Sequence, residues 1–167
     1  NRELVRTVMG YLAPVKGEPV LDMFCGIGNF TLPLARAGAR AVGVEASEEA
    51  VERAKANAGD NALASDCRFF VANLYGDAGK GQAIWSKLEA TPKALILDPP
   101  RSGAGPNLGS WVQVESLQRV VYVSCNPVTF AEDAEVLAAS GYVLQQVGVY
   151  DMFPGTAHVE TVGLFSR

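Results

Sequence analysis

The sequence holds one histidine, three cysteines and no long apolar run in 167 residues. Cys25, Cys67 and Cys125 are odd in number and far apart, and none belongs to a CxxC pair, which argues against a zinc site or a disulfide framework. Reduced thiols and a domain without metal are expected. No segment approaches the roughly 20 apolar residues that a bilayer span requires, and the opening NRELVRTVMGYLAP has neither the apolar stretch nor the cleavage pattern of a signal peptide. A cytoplasmic protein with no membrane partner is the expectation. Excess positive charge is missing too: 14 Lys and Arg face 18 Asp and Glu, for a net charge of -4 and a pI near 5.0. A self-sufficient nucleic-acid binder usually shows the opposite sign.

What remains is ordinary globular composition, 49% hydrophobic and 19% charged, enough for one domain with a substantial core. Short apolar runs alternate with helix-like segments, the pattern of a parallel sheet covered on both faces. PVLDMF (19–24), AVGVE (41–45), CRFFVA (67–72), ALILD (94–98) and VVYVSC (120–125) predict strands. Between them NFTLPLARAG ends at Gly38 as a helix does, and SEEAVERAKANAG opens on Ser47 and two acids before apolar Ala50, Val51, Ala54 and Ala58. In VTFAEDAEVLAASG, Thr129 and Glu132 stand at capping-box spacing, Phe130, Ala134, Leu137 and Ala138 share a face, and Gly141 is the stop. The alternation breaks at YVLQQVGVYDMF and HVETVGLFS, joined only by PGTA, which predicts an antiparallel pair attached to the parallel sheet. The stretches 76–92 and 101–118 are loop-like or weakly patterned. Asn1 is not an initiator methionine and the amphipathic pattern is under way by the fourth residue, so a domain taken from a longer chain is expected.

Three motifs carry chemistry. In VLDMFCGIGNFTLPLA a strand runs through Asp22 and Phe24 into Gly26, Gly28 and Asn29 and then into a helix, so the glycines let the backbone turn tightly beside a ligand at the helix start. Glu45 stands at the end of the next strand, where dinucleotide folds place an acid on ribose hydroxyls, and Asn73 follows the third strand, where an adenine contact and a plain turn are equally good readings. The GxGxxG spacing is absent and there is no Walker lysine, which disfavours NAD and ATP and leaves S-adenosylmethionine as the adenosine-bearing ligand that fits. In LILDPPR, two prolines stiffen the loop behind Asp98 and hold an acid at the carboxyl edge of the sheet; Pro99 and Arg101 are candidate substrate contacts, Arg101 toward phosphate. The third motif is Cys125 of SCNP with Glu160 of HVET, at the ends of the fifth and last strands. A thiol and a carboxylate facing a methyl donor suit methylation of a weakly nucleophilic carbon such as uracil C5, because thiolate addition at C6 makes C5 enolate-like and a base must then remove its proton.

Together LDMFCGIGNFTLPLA, LDPPRSG, VYVSCNPVTFAED and DMFPGTAHVETVGLFSR resemble the catalytic domain of the RNA uracil-5 methyltransferases, which form 5-methyluridine in ribosomal or transfer RNA. The resemblance covers nearly the whole chain and is weakest in 76–92 and 106–118. It implies a Rossmann-like α/β fold with a mostly parallel seven-stranded sheet, Cys125 as nucleophile and Glu160 as general base. It also implies that Asp98 lies between cofactor and uracil, that Glu45 and Asn73 hold ribose and adenine, and that the GIGN turn takes the methionine side. His158 is expected to be structural, and Cys25 and Cys67 to be packing residues. Family members usually carry an upstream RNA-binding barrel, some with an iron–sulfur site, and a glutamine-containing cofactor motif, none of which is in this sequence. RNA binding is therefore expected to reside mainly in that absent part, with this domain a monomer that binds RNA poorly alone. The DMFPGTAHVET ending leans toward the ribosomal branch. Two alternatives stand beside this reading: an amino-group methyltransferase centred on Asp-Pro-Pro, disfavoured by Arg101 where an aromatic is needed, and a cofactor-binding module without chemistry.

Overall fold

A computed structural model describes residues 1–151, 155 and 159–167. Fourteen elements alternate much as the hydrophobic pattern predicts. Helix α1 (Arg2–Leu12) precedes strand β1 (Pro19–Met23), followed by α2 (Thr31–Arg36), β2 (Arg40–Glu45), α3 (Glu48–Asp60) and β3 (Cys67–Val71). A single 3-10 turn at Asp77–Gly79 and α4 (Gly81–Trp85) lead to β4 (Ala94–Leu97), α5 (Leu108–Val112), β5 (Arg119–Ser124), α6 (Pro127–Ala139), β6 (Val143–Tyr150) and β7 (Glu160–Ser166).

The seven strands form one sheet in the order β3-β2-β1-β4-β5-β7-β6, parallel except for β7, which runs antiparallel to both β5 and β6. Successive strand residues feed opposite cores, as the two-residue period requires. Val20, Ile96, Val121 and Val123 pack under α1, α2 and α3, whereas Leu21, Leu95, Val120 and Tyr122 meet Ile84, Trp111 and Leu137 from α4, α5 and α6. The chain crosses from β3, at one edge, back to β4 beside β1, so strand order reverses between β1 and β4. In open α/β sheets that point leaves a crevice at the carboxyl ends of the strands.

Two helix readings need correction. Helix α6 does not start on a Thr129–Glu132 capping box: Asn126 is the N-cap, its Oδ1 accepting from the Val128 amide at 3.1 Å, with Pro127 at the first helical position. The buried face of α6 includes Asp133, while Ala138 is exposed. Ser47 caps α3 as expected, its Oγ accepting from the Ala50 amide at 3.2 Å. Cys25 and Cys67 are both buried in the core. Of the connection predicted at 154–157, only Gly155 lies among the described residues.

Candidate active site

The crevice is built from two halves. On the β1–β2 side the backbone leaves Met23 into a turn with positive φ at Phe24 (63°), Gly26 (52°) and Gly28 (91°). A side chain on Gly28 would meet Leu32 at 3.3 Å and the Phe69 ring at 3.4 Å, so space as well as φ favours glycine there. Glu45 locks this turn to the next strand: one carboxylate oxygen accepts from the Gly26 amide at 3.2 Å, and the other from the amides of Ala46 and Ser47 at 2.7 and 3.0 Å. Four lone-pair sites serve three donors, which leaves capacity for a ligand hydroxyl.

Asp22, read from the sequence as a cofactor contact, is fully buried beneath the turn. Its Oδ2 accepts from the Thr31 hydroxyl at 2.5 Å and its Oδ1 has no hydrogen-bond partner among the described residues. Burial pushes its carboxyl up to about 7, opposed by the Thr31 bond and reinforced by the charges of Asp98 and Glu45. Asn29 lies at the outer side of the turn, where its amide exchanges hydrogen bonds with Asn1. Asn73 is exposed just beyond β3, and its Oδ1 accepts from the Tyr75 amide at 3.1 Å, a local turn that leaves the amide NH2 directed elsewhere.

A cleft of about 400 Å3 opens between the halves, lined by Phe24, Glu45, Leu74, Tyr75, Asp98 and Pro99. Leu74 and Tyr75 were not singled out in the sequence. Tyr75 stacks obliquely on Phe24 with ring centroids 5.8 Å apart, and its hydroxyl donates to the Gly103 carbonyl at 2.6 Å, linking the loop after β3 to the loop after β4. The signal available was an aromatic two positions after Asn73 at a strand's carboxyl end.

On the β4–β5–β7 side, register does the assembling. Leu97 pairs with Tyr122 and Ser124 pairs with Thr161, so one further step sets Cys125 against Glu160, while Asp98, level with Val123, leaves the same edge of the sheet two residues earlier. Asp98 is pushed up to about 7 by burial first and by the Glu160 charge second. Burial also raises Glu160. Cys125 is half-buried. Pro99 is buried in the cleft wall, while the exposed Arg101 offers its backbone carbonyl to Asn126 Nδ2 at 2.9 Å and to the Thr129 hydroxyl at 3.3 Å. His158 lies outside the described residues.

A seven-stranded sheet with an antiparallel β7, a glycine turn after β1 and an acid after β2 define a Rossmann-like methyltransferase fold. Its likeness to the Pyrococcus abyssi tRNA (uracil-54, C5)-methyltransferase, solved with S-adenosyl-L-homocysteine, has a TM-score of 0.80 at 36% identity and covers 98% of this chain and 37% of that one. The chain belongs to the tRNA (uracil-5-)-methyltransferase family, whose model matches residues 1–167. Among curated relatives, the 23S rRNA (uracil(1939)-C(5))-methyltransferase RlmD of Hahella chejuensis is 46% identical over 170 residues, covering 100% of this chain and 37% of its own length. The RlmD of Nitrosococcus oceani is 51% identical over 170 residues, with 100% and 36% covered. The chain thus spans little more than a third of the length of the relatives it matches.

Proposed function

We propose that this chain is the catalytic part of a longer, cytoplasmic enzyme that methylates C5 of uracil in RNA, with ribosomal RNA the substrate its relatives favour. The observation that carries the reading is the strand register that brings the ends of three neighbouring strands, and with them Cys125, Glu160 and the cleft-lining Asp98, to one edge of the sheet. Neither a cofactor module nor an amino-group methyltransferase has a use for a thiol and a second carboxylate at that point.

The donor set suits a positively charged cofactor. Glu45 and Asp98 line the cleft with Asp22 behind them, and like-charge repulsion helps hold both aspartates near 7, so a cation in the cleft relieves that repulsion. S-adenosylmethionine, when bound, supplies an electrophilic methyl group beside its sulfonium charge. Glu45 would hold its ribose, the Asn73 amide its adenine, and the turn of Gly26, Gly28 and Asn29 its methionine end. Phe24 and Tyr75 would form the apolar wall, and Asp98 would stand between cofactor and uracil.

The chain's own residues then divide the chemistry. A uridine reaches them only unpaired or flipped from its stack. The Cys125 thiolate forms a bond to C6, and the electron pair displaced from the C5–C6 double bond makes C5 nucleophilic. After C5 has gained its methyl group, Glu160 takes the C5 proton; the double bond re-forms as the C6–sulfur bond breaks and the thiolate leaves. The raised affinity of Glu160 for protons suits a group that must accept one late in the cycle. RNA affinity is assigned mainly to the parts of the parent protein beyond this domain, in keeping with the net charge of -4.

The test uses the full-length parent protein with labelled S-adenosylmethionine and RNA containing 5-fluorouridine. Fluorine cannot leave C5 as a proton does, so a labelled protein–RNA adduct should survive a denaturing gel, and Cys125→Ser should abolish it along with methyl transfer while leaving the fold intact. Methylation of ordinary RNA with no trapped adduct would exclude addition through Cys125.

A further inference from the structure

Asp98 and Cys125 leave the same edge of the sheet from neighbouring strands, two residues apart in register. Each follows the last residue of a strand, and beyond those strands both stand on loops, residues 98–105 and 125–126. Those loops are sewn together by side chains of the second. Asn126, next to Cys125, uses its Nδ2 to donate to the Arg101 carbonyl at 2.9 Å and its Oδ1 to cap α6 through the Val128 amide at 3.1 Å. The single hydroxyl proton of Thr129 is shared between the same Arg101 carbonyl at 3.3 Å and the Asn126 carbonyl at 3.2 Å. Ser124, on the other side of Cys125, closes the turn: its Oγ donates to the Asn126 carbonyl at 2.9 Å and accepts from the Asn126 amide at 3.1 Å. One helical turn further along, Asp133 accepts from the Ala104 amide at 2.7 Å and from the Tyr122 hydroxyl. Residues 101–104 are thus held at both ends by α6, and Cys125 is bracketed by residues whose polar groups are committed.

From this network we infer that Asn126 is a positioning residue for uracil methylation, with Thr129 as its second anchor: by clamping the Arg101 carbonyl they fix the Asp98 loop relative to the Cys125 sulfur. The inference rests on the proposed uracil chemistry. Asn126 does not touch the reacting atoms. Its cap bond serves the helix, and its amide NH2 serves the alignment of two loops that the strand register brings only roughly together. The two duties fall on different atoms of one side chain, which makes them separable. Serine at position 126 can still cap α6 through its hydroxyl, since serine and asparagine are comparable N-caps, but it is too short to reach the Arg101 carbonyl as well.

The experiment measures single-turnover adduct formation with 5-fluorouridine RNA for the full-length protein, Asn126→Ser, Asn126→Ala and Thr129→Val, together with thermal midpoint and S-adenosylmethionine affinity. Asn126→Ser should slow adduct formation by about 100-fold, the scale of an ångström-sized misplacement, with midpoint and cofactor affinity near those of the unmodified protein. Asn126→Ala should lower the midpoint in addition. Equal adduct rates for Asn126→Ser and the unmodified protein would overturn the assignment and leave Asn126 a helix cap only. Should Asn126→Ser not fold, Thr129→Val decides, since it removes a donor to the same carbonyl and spares the cap: slowed addition supports the clamp, and an unchanged rate overturns it. If the unmodified protein itself gives no adduct while methylating ordinary RNA, it is the uracil C6 chemistry that has failed, a result distinct from any of these.

Discussion

The two halves of the crevice hold their functional groups by different means. On the β1–β2 side the backbone does the work: three residues of positive φ within a five-residue turn, and one carboxylate, Glu45, accepting from three amides. On the β4–β5–β7 side the backbone supplies only the strand ends, and alignment comes from antiparallel register together with the side chains of Asn126, Thr129 and Asp133. The first arrangement offers the fixed concave surface that the proposed cofactor site needs. The second suits a site where groups from separate loops must meet a base at reacting distance. Backbone sites are robust to side-chain change but intolerant at particular glycines; register-and-clamp sites are the reverse.

The largest effect that would sharpen this contrast is at Glu160. Glu160→Gln keeps the shape of the side chain and removes the proposed base, so turnover should fall by about 100- to 10,000-fold while a methylated covalent adduct accumulates, read by denaturing gel or intact mass. Lost activity with no adduct would move Glu160 to a structural role. On the other half, Gly28→Ala forces a side chain into φ 91° against Leu32 and Phe69. It should cost about 1–2 kcal/mol of stability by chemical denaturation and weaken S-adenosylmethionine binding by calorimetry. Unchanged cofactor affinity would mean that the turn does not form that binding surface.

The smallest effect concerns pH. Asp98 is raised from an ordinary 3.8 to about 7, chiefly by burial, so the folded chain keeps a proton that the unfolded chain gives up. Between those values the folded state binds more protons, so stability should be greatest below the unfolded value, fall as pH rises from about 4 to 7, and flatten above. Asp22 adds a slope of the same sign. In denaturation curves across that range, Asp98→Asn should make the fall shallower; an unaltered slope would show that Asp98 is not the buried proton store.

Legibility follows the same division. The turn after β1 and Glu45 could be recognised from residues close in sequence, because glycine spacing and an acid at a strand end are local consequences of backbone geometry. Helix α6 could not be started correctly: Thr129 looks like a capping residue on spacing, but its hydroxyl is drawn to the carbonyls of Arg101 and Asn126, and Asn126 takes the cap. Asp133 drew no reading from the sequence, and its role depends on buried donors, Tyr122 and Ala104, from other elements. Tyr75 acquires meaning only when Phe24 and Gly103, far from it in the chain, pack beside it.

By itself, then, the sequence determined the order of strands and helices, the glycine turn and the identity of the thiol and acids, since these depend on apolar periodicity and short-range backbone preference. Only the tertiary structure decided that Cys125 and Glu160 are cross-strand neighbours, that Asp22 is sealed beneath the cleft while Asp98 opens onto it, and that an asparagine ties the two loops together. Those outcomes depend on register and burial, where a shift of one residue turns a side chain to the opposite face and a few ångströms of depth decide how far a carboxyl is raised above its ordinary range.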